Sequence, residues 1–113
     1  MPQNVKLVVY PVKDLSRAKA LYTELLGVQP YVDGPYYVGF RPGDVEVGLD
    51  PNGHAQGHAS PTPYFDVDDI QAALARLVDA GATVVQQPRD VGGGLRVALA
   101  KDGDGNVTGF RQS

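Results

Sequence analysis

The sequence has no cysteine among its 113 residues and only two histidines. Without cysteine there is no disulfide framework, no thiolate zinc site, no iron–sulfur cluster and no cysteine nucleophile. The sequence also lacks any apolar run near the roughly 20 residues that span a bilayer. The stretch up to Val12 is too short, and too interrupted by Pro11, for a signal peptide. We therefore expect a soluble protein of the cytoplasm with no membrane partner.

Positive charge is scarce as well. Ten lysines and arginines stand against 13 acidic residues, which gives a formal net charge of −3. Nucleic-acid binders normally carry a basic face, so this balance argues against a nucleic-acid partner. The length fits one domain over residues 1–113, with enough chain to bury a core without disulfides.

The pattern along the chain occurs twice: a strand, a helix, then three further strands. Asp14 and Asp69 stand where helix N-caps belong, and Gly27 and Gly81 stand where the helices end. Val12-Lys13-Asp14-Leu15 aligns with Val67-Asp68-Asp69-Ile70, which supports an internal repeat. We predict module 1 over about 1–50, a linker over 51–61 and module 2 over about 62–113. The predicted strands are Val5–Val12, Gln29–Val32, Tyr36–Arg41 and Val45–Asp50, then Thr62–Val67, Thr83–Gln86, Leu95–Ala100 and Val107–Arg111.

Three segments resemble the vicinal oxygen chelate (glyoxalase/bleomycin resistance protein/dioxygenase) superfamily. They are Val12-Lys13-Asp14-Leu15-Ser16-Arg17-Ala18-Lys19-Ala20-Leu21-Tyr22 with Leu25-Leu26-Gly27, then Val67-Asp68-Asp69-Ile70, then Asp102-Gly103-Asp104-Gly105-Asn106-Val107. The resemblance covers essentially the whole chain. It implies an α+β fold in which two β-α-β-β-β modules form a curved sheet around an open cavity, commonly in a homodimer.

Metal-dependent members of that superfamily place a ligand in the first and last strand of each module. The resemblance puts those positions at Leu7, Gly48, Thr62 and Gly109. None of these residues is the expected His or Glu, and a single neutral hydroxyl cannot hold a divalent cation. We therefore expect no metal ion and no other cofactor.

Three other motifs are candidate sites. His54 and His58 have a helical metal-pair spacing but lie in the Gly-containing linker, where we expect solvated side chains. Asp102-x-Asp104-x-Asn106 copies the opening of a calcium loop, yet Val107 replaces the required glycine, so a hairpin turn is the better interpretation. Gly92-Gly93-Gly94 precedes a strand rather than a helix. It is interpreted either as a flexible lid or as a tight strand connection.

Strand alternation predicts which side chains face the cavity. The residues predicted to pack on the helices are Val38, Phe40, Val45, Val47, Leu49, Pro63, Phe65, Val67, Leu95, Val97, Leu99 and Phe110. The cavity is then predicted to hold tyrosines, arginines and carboxylates above an apolar floor that includes Leu7 and Val9. The predicted ligand-binding residues are Tyr37, Arg41, Glu46, Tyr64, Asp66, Arg96 and Arg111.

Such a mixture suits a small organic ligand with a planar or apolar body and polar or anionic groups. Glu46 is the candidate for acid or base work, since it is a strand carboxylate beside the vacated Gly48 position. The structural alternative is that the arginines pair with Asp50, Glu46 and Asp66 across a solvated face, with Tyr37 and Tyr64 in a dimer interface.

Three functions are compatible with these observations. The first is a metal-independent small-molecule-binding protein resembling the bleomycin-resistance, drug-sequestering branch of the superfamily. The second is an enzyme of the same superfamily, a metal-dependent or metal-free lyase, isomerase or dioxygenase. The third is a non-catalytic module whose sheet faces mainly dimerise.

Overall fold

The computed structural model describes residues 4–54 and 60–113. Over these residues the chain forms an α+β fold in which a strand, a helix and three strands follow one another twice. This order confirms the predicted pair of β-α-β-β-β modules. The elements are β1 (Val5–Pro11), α1 (Leu15–Leu26), β2 (Val32–Asp33), β3 (Val38–Phe40), β4 (Glu46–Asp50), β5 (Thr62–Asp66), α2 (Ile70–Asp79), β6 (Thr83–Asp90), β7 (Arg96–Lys101) and β8 (Val107–Gln112).

The chain divides into two compact units. We call Lys6–Thr62 the N-terminal unit, and Pro63–Ser113 with the chain up to Val5 the C-terminal unit. His58 of the predicted linker lies outside the described residues, whereas His54 lies within them and is exposed.

The strands of the N-terminal unit are ordered β2-β3-β4-β1. β1 is parallel to β4, with Leu7 opposite Glu46 and Val9 opposite Gly48, while β3 is antiparallel to β4. The parallel pair needs a crossover, and α1 supplies it. Residues that are opposite each other share a face, so this register fixes which side chains point away from α1.

Helix α1 begins and ends where the sequence predicts. The Asp14 carboxylate accepts a hydrogen bond from the backbone N–H of Arg17 at 3.1 Å, and Gly27 ends the helix with a φ of 71°. One face of the helix covers a cluster formed by Val38, Phe40 and Leu49, which are almost fully buried. The helix-facing assignment of these three residues is confirmed.

The strands of the C-terminal unit are ordered β5-β8-β7-β6. β5 is parallel to β8, and the other two pairs are antiparallel. The Asp69 carboxylate caps α2 by accepting from the backbone N–H of Ala72 at 3.1 Å, and the Gln112 side chain accepts from the Ile70 N–H at 2.7 Å. Ile70 and Leu74 of α2 form a buried cluster with Ala98 and Ala100 of β7 and Phe110 of β8.

The predicted face of β7 is wrong. Alternation places Leu95, Val97 and Leu99 against the helix, but Ala98 and Ala100 contact α2 there. Arg96 alternates with these alanines and pairs with Gln112, so it lies on the helix side. Alternation carries little information here, because Ala98, Leu99 and Ala100 are all buried and both faces of the strand are apolar.

The strand bounds differ from prediction by one or two residues in most strands, and by more in β6 and β2. β6 continues to Asp90 rather than ending at Gln86, because it is the last strand in the order, where the missing N–H of Pro88 is tolerated. The short β2 covers Val32–Asp33, not Gln29–Val32. Within residues 4–54 and 60–113, no helix is long and apolar enough to cross a membrane.

The two aspartate caps give a first test. We expect Asp14→Ala and Asp69→Ala each to lower the free energy of unfolding by about 1 kcal/mol, because each leaves a helix N–H without its acceptor. Urea denaturation measures the loss. Asp14→Asn and Asp69→Asn are the matched controls and should stay close to the wild type, since asparagine caps about as well. Equal losses for alanine and asparagine would contradict the capping role.

Candidate functional site

The sheet face turned away from α1 carries the polar residues of the N-terminal unit. Glu46 and Gly48 of β4 share this face with Leu7 and Val9 of β1 and with Gly39 of β3. The opposite face is occupied by the apolar cluster under the helix. Glu46 therefore lies on the face away from the helix, as strand alternation predicts. The packed core on the opposite face fixes the positions of the strands that carry it.

Glu46 is a buried carboxylate, with a residue exposure of only 6%. The hydroxyl of Tyr31 donates to Oε1 at 2.5 Å, and the hydroxyl of Tyr37 donates to Oε2 at 2.6 Å. Arg41 Nη2 lies 3.4 Å from Oε1. We call these four residues the Glu46 cluster. A buried charge is tolerated when it is paired and hydrogen-bonded, and this cluster meets both conditions.

Arg41 is held by its neighbours although its side chain is 57% exposed. Its guanidinium carbon lies 4.7 Å from the centre of the Tyr31 ring, and Nη2 donates to the Tyr31 hydroxyl at 3.0 Å. Attraction to Tyr31 is the main reason that the pKa of Arg41 is raised, with the hydrogen bond to Glu46 next. The stacked guanidinium is thus a fixed cation at the edge of the cluster.

Tyr31 gives a pH test of this cluster. Burial raises the pKa of its hydroxyl above the ordinary value of 10.0, and the hydrogen bond to Glu46 raises it further. The stability that Tyr31 contributes is therefore fully present below the ordinary pKa and is lost as pH rises through the raised folded-state pKa. We expect the wild type to lose more stability between about pH 9 and 11 than Tyr31→Phe does. Urea denaturation across that range measures it, and parallel pH profiles would contradict the assignment.

Two glycines of this face have no room for a side chain. A Cβ at Gly39 would lie 2.9 Å from Glu46 Oε2 and 3.1 Å from Tyr37 Cε2. A Cβ at Gly48 would lie 2.7 Å from both Cε1 and Cζ of Tyr37, and closer still to its hydroxyl oxygen. The Tyr37 ring therefore lies directly over the Gly48 backbone.

The C-terminal unit repeats this arrangement on β5 and β8. Tyr64 is opposite Gly109 and Asp66 is opposite Arg111 in the parallel register. The Tyr64 ring covers Gly109, where a Cβ would lie 2.8 Å from Cγ and nearer still to two ring carbons. Arg111 Nε donates to Asp66 Oδ1 at 2.8 Å. This face is opposite the apolar cluster under α2.

A cavity of about 310 Å³ opens beside the Asp66–Arg111 pair. This volume is at the lower end of the range for small-molecule sites. The hydrogen bond to Asp66 uses Arg111 Nε and does not involve the two Nη groups. The lining residues are Asp66, Val67, Asp68, Leu95, Arg111 and Ser113.

The predicted site residues thus fall into two groups. The N-terminal unit brings Tyr37, Arg41 and Glu46 together, and the C-terminal unit brings Tyr64, Asp66 and Arg111 together. Arg96 joins neither group, because it lies on the opposite face of its sheet from Arg111. Part of the structural alternative is also observed, since Arg41 pairs with Glu46 and Arg111 pairs with Asp66.

Sequence reasoning misses Tyr31 and Asp68. Tyr31 lies inside a predicted strand whose faces the sequence leaves unassigned. Its place beside Glu46 depends on the hydrogen bond from its backbone N–H to the Gly39 carbonyl, a pairing that local sequence does not show. Asp68 is interpreted from sequence only as part of the capping motif that precedes α2. The sequence indicates a site role for Asp68 only through its position, just after a strand that is predicted to carry cavity-facing residues.

The family's metal positions do not fit a metal ion. Leu7, Gly48 and Gly109 have no donor side chain, and Thr62 is a buried hydroxyl. Across residues 4–54 and 60–113, no group of three or more His, Asp or Glu side chains could hold a cation. A divalent metal needs several such donors.

Two loop motifs are explained by the structure. Asp102 accepts hydrogen bonds from the backbone N–H groups of Asp104 and Asn106, both at 2.9 Å, which confirms the predicted hairpin turn. The hydrogen bonds with Asn106 are the main reason that the pKa of Asp102 is lowered. Gly92, Gly93 and Gly94 all have positive φ and connect the antiparallel β6 and β7, which favours the tight-connection interpretation.

Comparison with known proteins gives a family-level match. A model of the Glyoxalase/Bleomycin resistance protein/Dioxygenase superfamily matches residues 4–110. A search of curated proteins found no match.

Similar solved structures cover nearly the whole chain. A protein described as NAD-dependent benzaldehyde dehydrogenase from Legionella pneumophila is 19% identical, with a TM-score of 0.74 and 98% of each chain covered. A superfamily member from Vibrio splendidus 12B01 is 15% identical, with a TM-score of 0.74 and 99% and 100% covered. A variant of Streptomyces coelicolor methylmalonyl-CoA epimerase, in complex with 2-nitronate-propionyl-CoA, is 16% identical, with a TM-score of 0.74 and 100% and 99% covered. At these identities the likeness shows the fold alone.

Proposed function

The chain belongs to the Glyoxalase/Bleomycin resistance protein/Dioxygenase superfamily, and from this premise we propose that it binds a small organic molecule without a metal ion. One observation carries the proposal. Each unit keeps tyrosine, arginine and carboxylate side chains on the face away from its helix, while the positions of the family's metal ligands hold Leu, Gly, Thr and Gly. Within the superfamily, we propose that the function resembles that of the drug-sequestering, bleomycin-resistance branch.

The cavity beside Arg111 is lined by one cation and two carboxylates, so it supports a ligand that combines an anionic group with hydrogen-bond donors. Arg111 is the cation that lines it, and the Nη edge of its guanidinium can donate two parallel hydrogen bonds to a carboxylate or phosphate. Leu95 and Val67 line the same cavity and favour an apolar part of the ligand. The carboxylates of Asp66 and Asp68 can accept hydrogen bonds from hydroxyl or amino groups. A compact molecule with an apolar or planar body and polar substituents fits this lining.

A thermal-shift screen against a panel of aromatic and anionic antibiotics tests the proposal. Ligands that bind only the folded state raise the melting temperature, and at about 100 times the Kd the gain is about 2.7 kcal/mol. We expect at least one anionic compound to give a dose-dependent rise. A panel in which no compound raises the melting temperature would count against small-molecule binding.

A metal-free lyase or isomerase is the second candidate, and the buried Glu46 carboxylate favours it. A general base must reach a substrate proton, but both Glu46 oxygens already accept phenolic hydrogen bonds. Each oxygen keeps a further lone pair, but the burial of Glu46 restricts the access of a substrate to it. Mass spectrometry of each panel compound after incubation separates the two functions. Unchanged compounds support binding, whereas conversion that is lost in Glu46→Gln supports the enzyme.

The remaining sequence expectations belong to this proposal. We propose a homodimer, as the family resemblance implies, and a cytoplasmic location without nucleic-acid or membrane partners. Light scattering measures the mass in solution. A dimer that dissociates on substitution of Tyr37 and Tyr64, together with a panel that gives no ligand, would instead support the non-catalytic dimerising module.

A further inference from the structure

The family resemblance assigns the last-strand metal-ligand positions to Gly48 and Gly109. Neither is among the glycines with positive φ, so their backbone conformation does not require glycine. Glycine inside a strand is normally unfavourable, since it adds backbone entropy and removes a side chain that could pack. Another feature must therefore account for glycine at both positions.

That feature is an aromatic ring. Tyr37 covers Gly48 and Tyr64 covers Gly109, and in each case a Cβ would approach ring atoms more closely than the 3.0 Å that real Cβ atoms keep. At Gly109 all three atoms in the way belong to the Tyr64 ring. At Gly48 they are the Tyr37 hydroxyl oxygen and two carbons of its ring, so in both cases the rigid ring itself has to move. Any residue other than glycine at either position would have to displace a ring.

We infer that these two tyrosine rings fill the space of the missing last-strand metal ligands, so that packing as well as residue chemistry excludes a metal ligand at Gly48 and at Gly109. The inference deepens the proposed function and rests on its metal independence. The loss of the metal ligands is then coupled to the gain of an aromatic surface on the same face. Restoring a ligand residue alone would not restore a metal site.

Glu46 is a positioning residue in this arrangement. Its Oε2 accepts the Tyr37 hydroxyl at 2.6 Å and so fixes the ring over Gly48. Its Oε1 is held in turn by Tyr31, which orients the carboxylate. In the C-terminal unit, Tyr64 is directly opposite Gly109 in the register, so strand pairing itself places the ring there.

The test is a pair of double-mutant cycles on the free protein. Gly48→Ala and Gly109→Ala are each expected to lower the melting temperature by roughly 5–10 °C, because the added methyl overpacks against a ring. Gly43→Ala and Gly103→Ala are the matched controls. A Cβ at either position meets nothing within 4 Å, and neither glycine has positive φ, so both variants should stay within about 2 °C of the wild type.

The second half of each cycle removes the ring. In the Tyr37→Ala and Tyr64→Ala backgrounds, the added methyl should change the melting temperature by less than about 2 °C. In Tyr37→Phe the ring carbons stay but the hydroxyl nearest to the added methyl is gone, so the loss from Gly48→Ala should be smaller than in the wild type and larger than in Tyr37→Ala. If Tyr37→Ala does not fold, the Tyr64 and Gly109 cycle decides, because it leaves Tyr31, Tyr37 and Arg41 in place around Glu46.

Equal losses from the alanines with and without the rings, or losses no larger than those of the control glycines, would overturn the inference. Because no ligand is added in these measurements, a failed ligand screen leaves their outcome unchanged. The two proposals can therefore fail separately.

Discussion

Glu46→Leu is expected to lower the free energy of unfolding by about 2–4 kcal/mol, because it removes the acceptor of two phenolic hydrogen bonds and the partner of a cation at once. For a domain of this size the loss corresponds to a fall in melting temperature of roughly 10–15 °C. Leucine is close in volume and suits a buried strand position, so the loss reports on the polar network and not on a cavity.

Glu46→Gln is the graded comparison. It keeps the shape and one carbonyl acceptor, so one of the two tyrosines can still donate to it, and we expect about half of the loss. Asp44→Asn is the control for removing a carboxylate nearby, because Asp44 is exposed and lies in the turn before β4. That variant should stay within about 0.5 kcal/mol of the wild type. If Glu46→Leu is as stable as Asp44→Asn, the Glu46 cluster does not hold this face together.

Arg111→Met is expected to weaken binding of the strongest anionic compound from the panel by roughly 10- to 100-fold, which corresponds to the loss of a charge-assisted hydrogen-bonded contact. Methionine keeps much of the apolar stem while it removes the guanidinium. Asp66, the partner of Arg111, has a side chain that is 51% exposed. Water can therefore replace the lost hydrogen bond, and the variant should fold.

Arg96→Met is the matched control for this substitution. Arg96 lies on β7, the neighbour of the strand that carries Arg111, but it points to the helix side of the sheet. We expect its effect on affinity to be less than about twofold. Isothermal titration calorimetry measures both variants with the same compound. Equal losses for the two arginines would show that net charge, and not the Arg111 cavity, drives binding.

Local sequence information is sufficient for the helices and for most of the core. Asp14 and Gly27 bracket α1 because capping depends only on residues within one turn. Asp69 caps α2 for the same reason, and α2 ends just before Gly81. The helix-facing residues of β3 and β4 follow from alternation, since one face of each strand is clearly apolar.

Alternation fails where both faces of a strand are apolar. On β7 the larger side chains predict the wrong core face, because the small Ala98 and Ala100 lie under α2 and Leu99 points away. Only the pairing with β8 decides which side chains of β7 face the helix. Strand pairing depends on residues that are distant in sequence, so β7 alone does not show it. For the same reason the prediction for Arg96 fails, since Arg96 lies on the helix side of β7 and not with the other predicted site residues.

The vacated metal positions can be predicted from sequence, but what fills them cannot. Gly48 and Gly109 follow from the family pattern, whereas the rings over them come from Tyr37 and Tyr64, which are distant from them along the chain. Tyr31 reaches Glu46 through the pairing of its backbone with β3. Contacts between segments that are distant in sequence decide the site, and periodicity within one strand does not encode them.

Metal independence of ligand binding is the central claim, and one titration tests it most directly. The strongest compound from the panel is titrated by calorimetry into protein that was treated with excess EDTA, and again into protein with excess Mn²⁺, Zn²⁺ or Ni²⁺ after the EDTA is removed. We predict one and the same Kd, within about twofold, in every condition. Binding that appears only when a divalent ion is restored, or that tightens by more than about tenfold with one, would contradict the account.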